Sequence, residues 1–263
     1  MNVVAKIVRA QTRDALRSRW LVVYAAFFLL LTEGVIRFSG DGAKAVLTLA
    51  SATLIVVPLV TLVLSTIHVY NAREFTELLL AQPIRRSSLF KGLYLGLALP
   101  LCAGFVAGVG LPFLLHGGGD PAYRAAIVTL VATGAALTFV FTAISFSIAL
   151  FAEDRLRGLG IALGVWLLVG LLYDGLVLVA VALFSDYPIE RPLLALTFAN
   201  PVDLARVLLL LKLDVAALMG YTGAVFQRVF SGPLGPSLAA GMLGLWIAVP
   251  VAVGARQFRR KDF

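Results

Sequence analysis

The residues able to do covalent or metal chemistry are few in this sequence and badly spaced for it. His68, His116, Cys102, Met219 and Met242 never fall at ligand spacing from one another, whereas a transition-metal site needs three or four such donors converging on one point. No Gly-x-Ser-x-Gly elbow, His-Glu-x-x-His helix or Gly-Lys-Ser/Thr phosphate loop occurs. The expectation is a chain that is not an enzyme and holds no metal or cofactor of its own.

The informative residues are acids. Glu74 and Glu77 stand in the stretch Tyr70-Asn-Ala-Arg-Glu-Phe-Thr-Glu-Leu-Leu-Leu-Ala-Gln-Pro83, where Phe75, Leu78 and Leu79 share one helical face, the glutamates project beside it and Pro83 ends the helix. Such a part-apolar, part-acidic helix is a docking element, or else an interfacial helix with its acids in solvent. Glu33 and Asp174 lie within apolar runs. From Arg19 to Glu33 is about 21 Å of helix and from Arg157 to Asp174 about 25 Å, so both should sit toward the far leaflet, where ionisable groups mark polar cavities or pathways. Two plainer readings stay open: Glu33 pairs with Arg37 four residues on, and Asp174 reaches the headgroups.

The elements that hold these acids are membrane spans. Of 263 residues 60% are hydrophobic and 14% charged, with a mean hydropathy of +0.97, against about a quarter charged in soluble domains. Apolar runs cover 20–38, 45–70, 92–115, 124–151, 158–184 and 236–256, each long enough to cross ~30 Å of hydrocarbon as a helix. They lack the alternation of barrel strands, so a single all-α domain of six spans over 1–263 is predicted. Pro58, Pro100 and Pro250 fall inside spans, where prolines are tolerated. Residues 1–19 alternate Val3, Val4, Ile7, Val8 and Leu16 with Lys6, Arg9, Arg13, Arg17 and Arg19, the pattern of an amphipathic helix on anionic lipid; they carry no compact apolar region with a small-residue cleavage site, so no cleaved signal is expected.

Residues 185–235 are predicted as an outer loop. Val202 to Met219 is apolar enough for a seventh span, but Asp203, Arg206, Lys212 and Asp214 would each cost roughly 2.5–3.5 kcal/mol near a span's centre. Asn200-Pro201 reads as an N-cap with proline at the first helical position, giving an amphipathic helix at the surface, flanked by the turn-rich Asp186, Pro188 and Pro192 before it and Ser231, Gly232, Pro233 and Pro236 after it. With six spans, 15 of the 22 basic residues fall on the side of the termini, which the positive-inside rule makes cytoplasmic. The net charge of +8 is thereby explained by topology and needs no nucleic acid.

The stretch Arg73-Glu-Phe-Thr-Glu-Leu-Leu-Leu, then Gln82-Pro-Ile-Arg-Arg86 and Lys91-Gly92 opening the next span, resembles the loop between the second and third spans of ABC-2-type permeases. Leu171-Leu-Tyr-Asp174, Ala199-Asn-Pro-Val-Asp-Leu-Ala-Arg206 and the tail Arg256-Gln-Phe-Arg-Arg-Lys261 are similar to NosY-type permeases, which serve copper-site maturation of nitrous oxide reductase. One departure is that relatives often carry Glu-x-Glu-x-Gly-Thr, where this chain has Ala72-Arg-Glu-Phe-Thr76 without glycine.

The resemblance implies that 71–91 is a coupling loop whose Arg73, Glu74, Phe75, Glu77 and Leu78 enter a cleft of a cytoplasmic ATPase. ATP and Mg would be held by two copies of that partner. It also implies a homodimer in the bacterial inner membrane, a periplasmic accessory protein, and lipid around the whole. Glu153, Asp154 and Arg155, between the fourth and fifth spans, are then a second cytoplasmic contact or plain topology anchors, and Glu33 and Asp174 line a chamber opening outward between protomers. The pairs Gly92/Gly96, Gly104/Gly108 and Gly160/Gly164 permit close helix packing. An ABC-2 exporter of lipid, glycan or drug is the alternative within this class, and a membrane scaffold or intramembrane enzyme the alternative outside it.

Overall fold

The computed structural model describes residues 3–40, 42–116, 121–184, 190–212 and 234–260; helix is the only regular structure among the described residues. The helices are α1 (Val3–Arg17), α2 (Arg19–Ser39), α3 (Gly42–Asn71), α4 (Arg73–Leu80), α5 (Arg86–Leu115) and α6 (Pro121–Phe151). They continue with α7 (Arg155–Leu167), a π-helical segment (Leu168–Leu172), α8 (Tyr173–Leu183), α9 (Glu190–Phe198), α10 (Pro201–Lys212) and α11 (Leu234–Arg260). Six stretches are long and apolar enough to span a bilayer: Arg19–Ser39, Gly42–Asn71, Arg86–Leu115, Tyr123–Phe151, Arg155–Leu183 and Ser237–Arg260. These are the six expected from hydropathy, and the fold is an all-α membrane bundle.

The centre is α3, α5 and α6, with α3 packing most extensively on α6. Phe28 of α2 meets Phe105 of α5 edge to face at 5.1 Å between ring centroids, and Phe90 meets Phe146 likewise at 5.7 Å, the geometry that the ring quadrupole favours. Hydroxyls on α6 are satisfied within the helix: Thr138 donates to the Gly134 carbonyl at 2.9 Å and Thr142 to that of Thr138 at 2.7 Å, the usual solution where no water is at hand. At the end opposite the termini, Gly40 takes a positive φ of 61° as the C-cap of α2, the left-handed conformation that glycine adopts without steric cost.

Helix α1 is amphipathic as expected, and its buried stripe of Ile7, Gln11 and Ala15 packs on α5. A Cβ at Gly92 would lie 2.7 Å from Ile7, and one at Gly96 would collide with Gln11; the missing side chains are what let α1 lie so close. His68 Nε2 is 2.9 Å from Gln11 Oε1, tying α1 to the end of α3. Gly108 receives α2 in the same way, whereas a Cβ at Gly104 would meet α2 only at ordinary contact distance, 3.5 Å or more. Gly160 and Gly164 meet nothing within 4 Å in the chain.

The region after the fifth span departs from the surface helix expected there. α9 and α10 form a hairpin bent by 106° between Pro192–Phe198 and Pro201–Leu210, and α10 packs into the bundle against α6, α11 and α3. Val202, Ala205 and Leu209 join the main core, while Leu204, Val207 and Leu208 form a second cluster with Ala239 and Leu243 of α11. The helix is apolar on two faces, so lying flat on the surface would leave one of them uncovered. Asp186, Pro188, Asp214, Met219, Ser231, Gly232, Pro233 and the glycines 117–119 lie outside the described residues, as does Lys261. Pro192 and Pro236 stand in the first turns of α9 and α11, where a missing N–H costs nothing.

Candidate functional site

Two surfaces carry the acids that the sequence singles out. The first lies at the end of the bundle that holds the termini. α4 starts one residue after α3 and ends before Pro83, as the sequence predicts. Thr76 is buried and donates to the Ala72 carbonyl at 2.8 Å, and Leu79 and Leu80 pack on the core. The opposite side presents Glu74, Phe75, Glu77 and Leu78 to the outside, with Leu78 69% exposed. Leu79 thus faces inward, and the apolar part of the outer face is Phe75 with Leu78. Arg73 is paired with Glu77 at 3.3 Å, an exposed i,i+4 bridge of a few tenths of a kcal/mol.

The loop between the fourth and fifth spans is tied to the last residues of α3, directly before α4. Tyr70 Oη donates to the Ala152 carbonyl at 2.7 Å, Gly158 leaves room for the Tyr70 ring, and Arg155 donates to Asn71 Oδ1 at 3.4 Å. Asp154 caps α7 by accepting from the Arg157 N–H at 3.0 Å, and Glu153 is exposed beside it. The structure therefore anchors the second sequence-predicted patch to the helix end from which the first one starts, through Tyr70, which the sequence did not single out. Tyr70→Phe removes that bond while keeping the ring and is expected to destabilise the protein by about 0.5–1.5 kcal/mol, readable as a lower melting temperature in detergent.

The second surface is toward the other end. Glu33 pairs with Arg37 at 2.6 Å and lies 3.4 Å from His116 Nε2, so the local i,i+4 partner expected from the sequence is present together with a distant one. Asp174, at the start of α8, accepts from Arg206 Nη1 at 2.8 and 2.7 Å. Arg206 also bonds Asp203 at 3.1 Å. Asn200 accepts from the Val202 N–H at 2.9 Å, as an N-cap does, and its Nδ2 donates to Val169 of the π segment at 2.9 Å and to Asp203 at 3.1 Å. Glu33 and Asp174 thus belong to separate ion-pair groups. Arg206 pairs with both Asp174 and Asp203.

A six-span helical bundle with an amphipathic lead-in helix, a short acidic-apolar helix beneath the second span and a bent hairpin before the last span defines a multi-pass all-α membrane protein. The chain belongs to the ABC-2 family of transporter proteins, whose family model, described as "ABC-2 family transporter protein", matches residues 5–263. It is 29% identical over 277 residues to the "Probable ABC transporter permease protein NosY" of Pseudomonas aeruginosa strain PAO1, covering 99% of each chain. To the protein of the same name from Stutzerimonas stutzeri it is 28% identical over 279 residues, again covering 99% of each.

Proposed function

We propose that this chain is the permease subunit of a bacterial inner-membrane ABC transporter, driven by a separate cytoplasmic ATPase that docks on α4. The observation that carries the reading is the division of α4 into a fixed face (Thr76, Leu79, Leu80) and an unclad one (Glu74, Phe75, Leu78). A lever must be stiff where it meets the spans and adhesive where it meets the motor. The neighbouring Glu153–Arg155 loop, held to the same helix junction by Tyr70 and Asn71, widens the contact. Two copies of the chain with two copies of the ATPase, which hold ATP and Mg, make the working unit. ATP favours one arrangement of the spans only in so far as it binds that arrangement better. In the homodimer, the part-exposed carboxylates of Glu33 and Asp174 are the groups available to line a space between protomers.

The end-to-end similarity to permeases named NosY supports a role in assembling the copper sites of nitrous oxide reductase, with a periplasmic protein as third partner. The test has two arms. Pull-down of the tagged chain from a mild detergent extract should recover an ABC ATPase, and a cysteine placed at Glu74 should be labelled by an impermeant maleimide only in inverted vesicles. Labelling in intact spheroplasts overturns the topology and with it the docking role. Deletion of the gene should leave nitrous oxide reductase present but lacking copper; a fully metallated enzyme would remove the maturation role and leave transport of another cargo.

A further inference from the structure

We infer that the Asp174–Arg206 ion pair is a latch and the π segment Leu168–Leu172 its hinge, so that the outer half of the fifth span swings away from the α9–α10 hairpin when the latch opens. The fifth span is held differently in its two halves. Its inner half, α7, is fixed to α3: Gly158 accommodates Tyr70, Ala162 is fully buried, and Trp166 Nε1 donates to the Ile55 carbonyl at 3.1 Å. Its outer half, α8, buries no residue, and beyond the adjoining π segment its main contacts are with α9.

Side-chain attachments between described residues hold α8 to the hairpin. One is Tyr173 Oη to the Leu196 carbonyl at 2.7 Å, and another is Asp174 with Arg206. The hairpin itself is embedded in α6 and α11 and gives the latch a fixed post. Between the two regimes stands the π segment, whose wider turn breaks the i→i+4 ladder; such turns recur at functional sites and bends. Asn200 reaches from the hairpin elbow to the Val169 carbonyl within it.

The pair is part-buried, its two bonds both running from Arg206 Nη1 to the Asp174 carboxylate, and removing one partner leaves a charge uncompensated. The consequences are unequal here. Asp174→Asn leaves Arg206 with Asp203, whereas Arg206→Gln leaves Asp174 and Asp203 without their shared cation. The order of opening should follow: Arg206→Gln more than Asp174→Asn.

What moves the latch in the working cycle rests on the ATP-driven reading; the latch and hinge themselves do not. The experiment uses the full chain in nanodiscs, with Cys102→Ser, and spin labels at Leu178 and Val128, both exposed in outer halves, or at Leu156 and Leu16, both exposed at the termini end. Without nucleotide, Arg206→Gln should shift the outer distance to longer, broader values and leave the inner one unchanged, and the swap Asp174→Arg with Arg206→Asp should restore it. An outer distance unaltered by Arg206→Gln, or both distances moving together, overturns the latch and the hinge. With the ATPase and ATP-vanadate added, the native pair should open likewise. If a label at Ala81, exposed at the end of α4 and clear of the docking pair, responds to the ATPase while the outer pair stays still, the permease reading stands and the latch has no part in the cycle. If neither responds, the ATP-driven reading falls and the gating role falls with it, while the nucleotide-free result still decides the latch.

Discussion

With aspartate at both Phe75 and Leu78 the chain is expected to purify and melt normally, yet to bind its ATPase at least about a hundredfold more weakly. Both side chains project from α4 into the open, Phe75 43% and Leu78 69% exposed, so their loss takes nothing from the core. Covered by a partner, a Phe or Leu side chain contributes about 1.5–3 kcal/mol on full burial, and 1.4 kcal/mol is tenfold in affinity. Aspartate adds a desolvation cost on top of the lost contact. The glutamates should behave differently. Glu77 is already engaged by Arg73, and exposed charges act mainly on the rate of encounter, so Glu74→Lys with Glu77→Lys should slow association most at low salt and leave dissociation nearly unchanged. Surface plasmon resonance with the permease in nanodiscs reads both rates. Unaltered affinity in the Phe75/Leu78 variant would move the docking surface away from α4.

How far the sequence discloses this molecule depends on how local each cause is. A span is a local fact: some twenty apolar residues satisfy the membrane's demand by themselves, and all six runs became spans. The acidic helix was also legible, because Pro83 and the spacing of Phe75, Leu78 and Glu74 act within a dozen residues, although which leucine faced the core was not. The N-cap Asn200 with Pro201 marked the start of α10 correctly. What it could not show was the burial of that helix. Insertion energies treat Asp203 and Arg206 as isolated charges, but Asp174, 32 residues away, is what makes Arg206 acceptable among the spans, and a pairing at that separation has no spacing signature. His116 beside Glu33 escaped for the same reason. The π segment escaped because Leu-Val-Gly-Leu-Leu has no composition that distinguishes it from the helix around it.

Gly108→Val is expected to destabilise the bundle by about 1–3 kcal/mol or more, the range for overfilling a packed core, whereas Gly110→Val on the same helix should be close to neutral. The two glycines are two residues apart and differ only in what faces them. A Cβ at Gly108 would stand 2.8 Å from the Ala25 carbonyl oxygen and 2.8 Å from Phe28 Cβ, with the Leu29 nitrogen at 3.3 Å. Two of those three atoms are backbone, so no rotamer change relieves the clash and α2 itself must move. That movement unseats Phe28, which is fully buried and meets Phe105 edge to face, so the damage reaches the centre of the bundle. At Gly110 nothing lies within 4 Å, and replacing glycine in a helix tends to favour the folded state by restricting the unfolded chain. The sign of the difference therefore follows from geometry alone, since both changes add the same atoms to the same helix. Thermal unfolding in one detergent, followed by loss of monodisperse protein, is the measurement. Equal melting of the two variants would mean that α2 does not rest on α5 through Gly108 and that the first and third spans are not closely packed there.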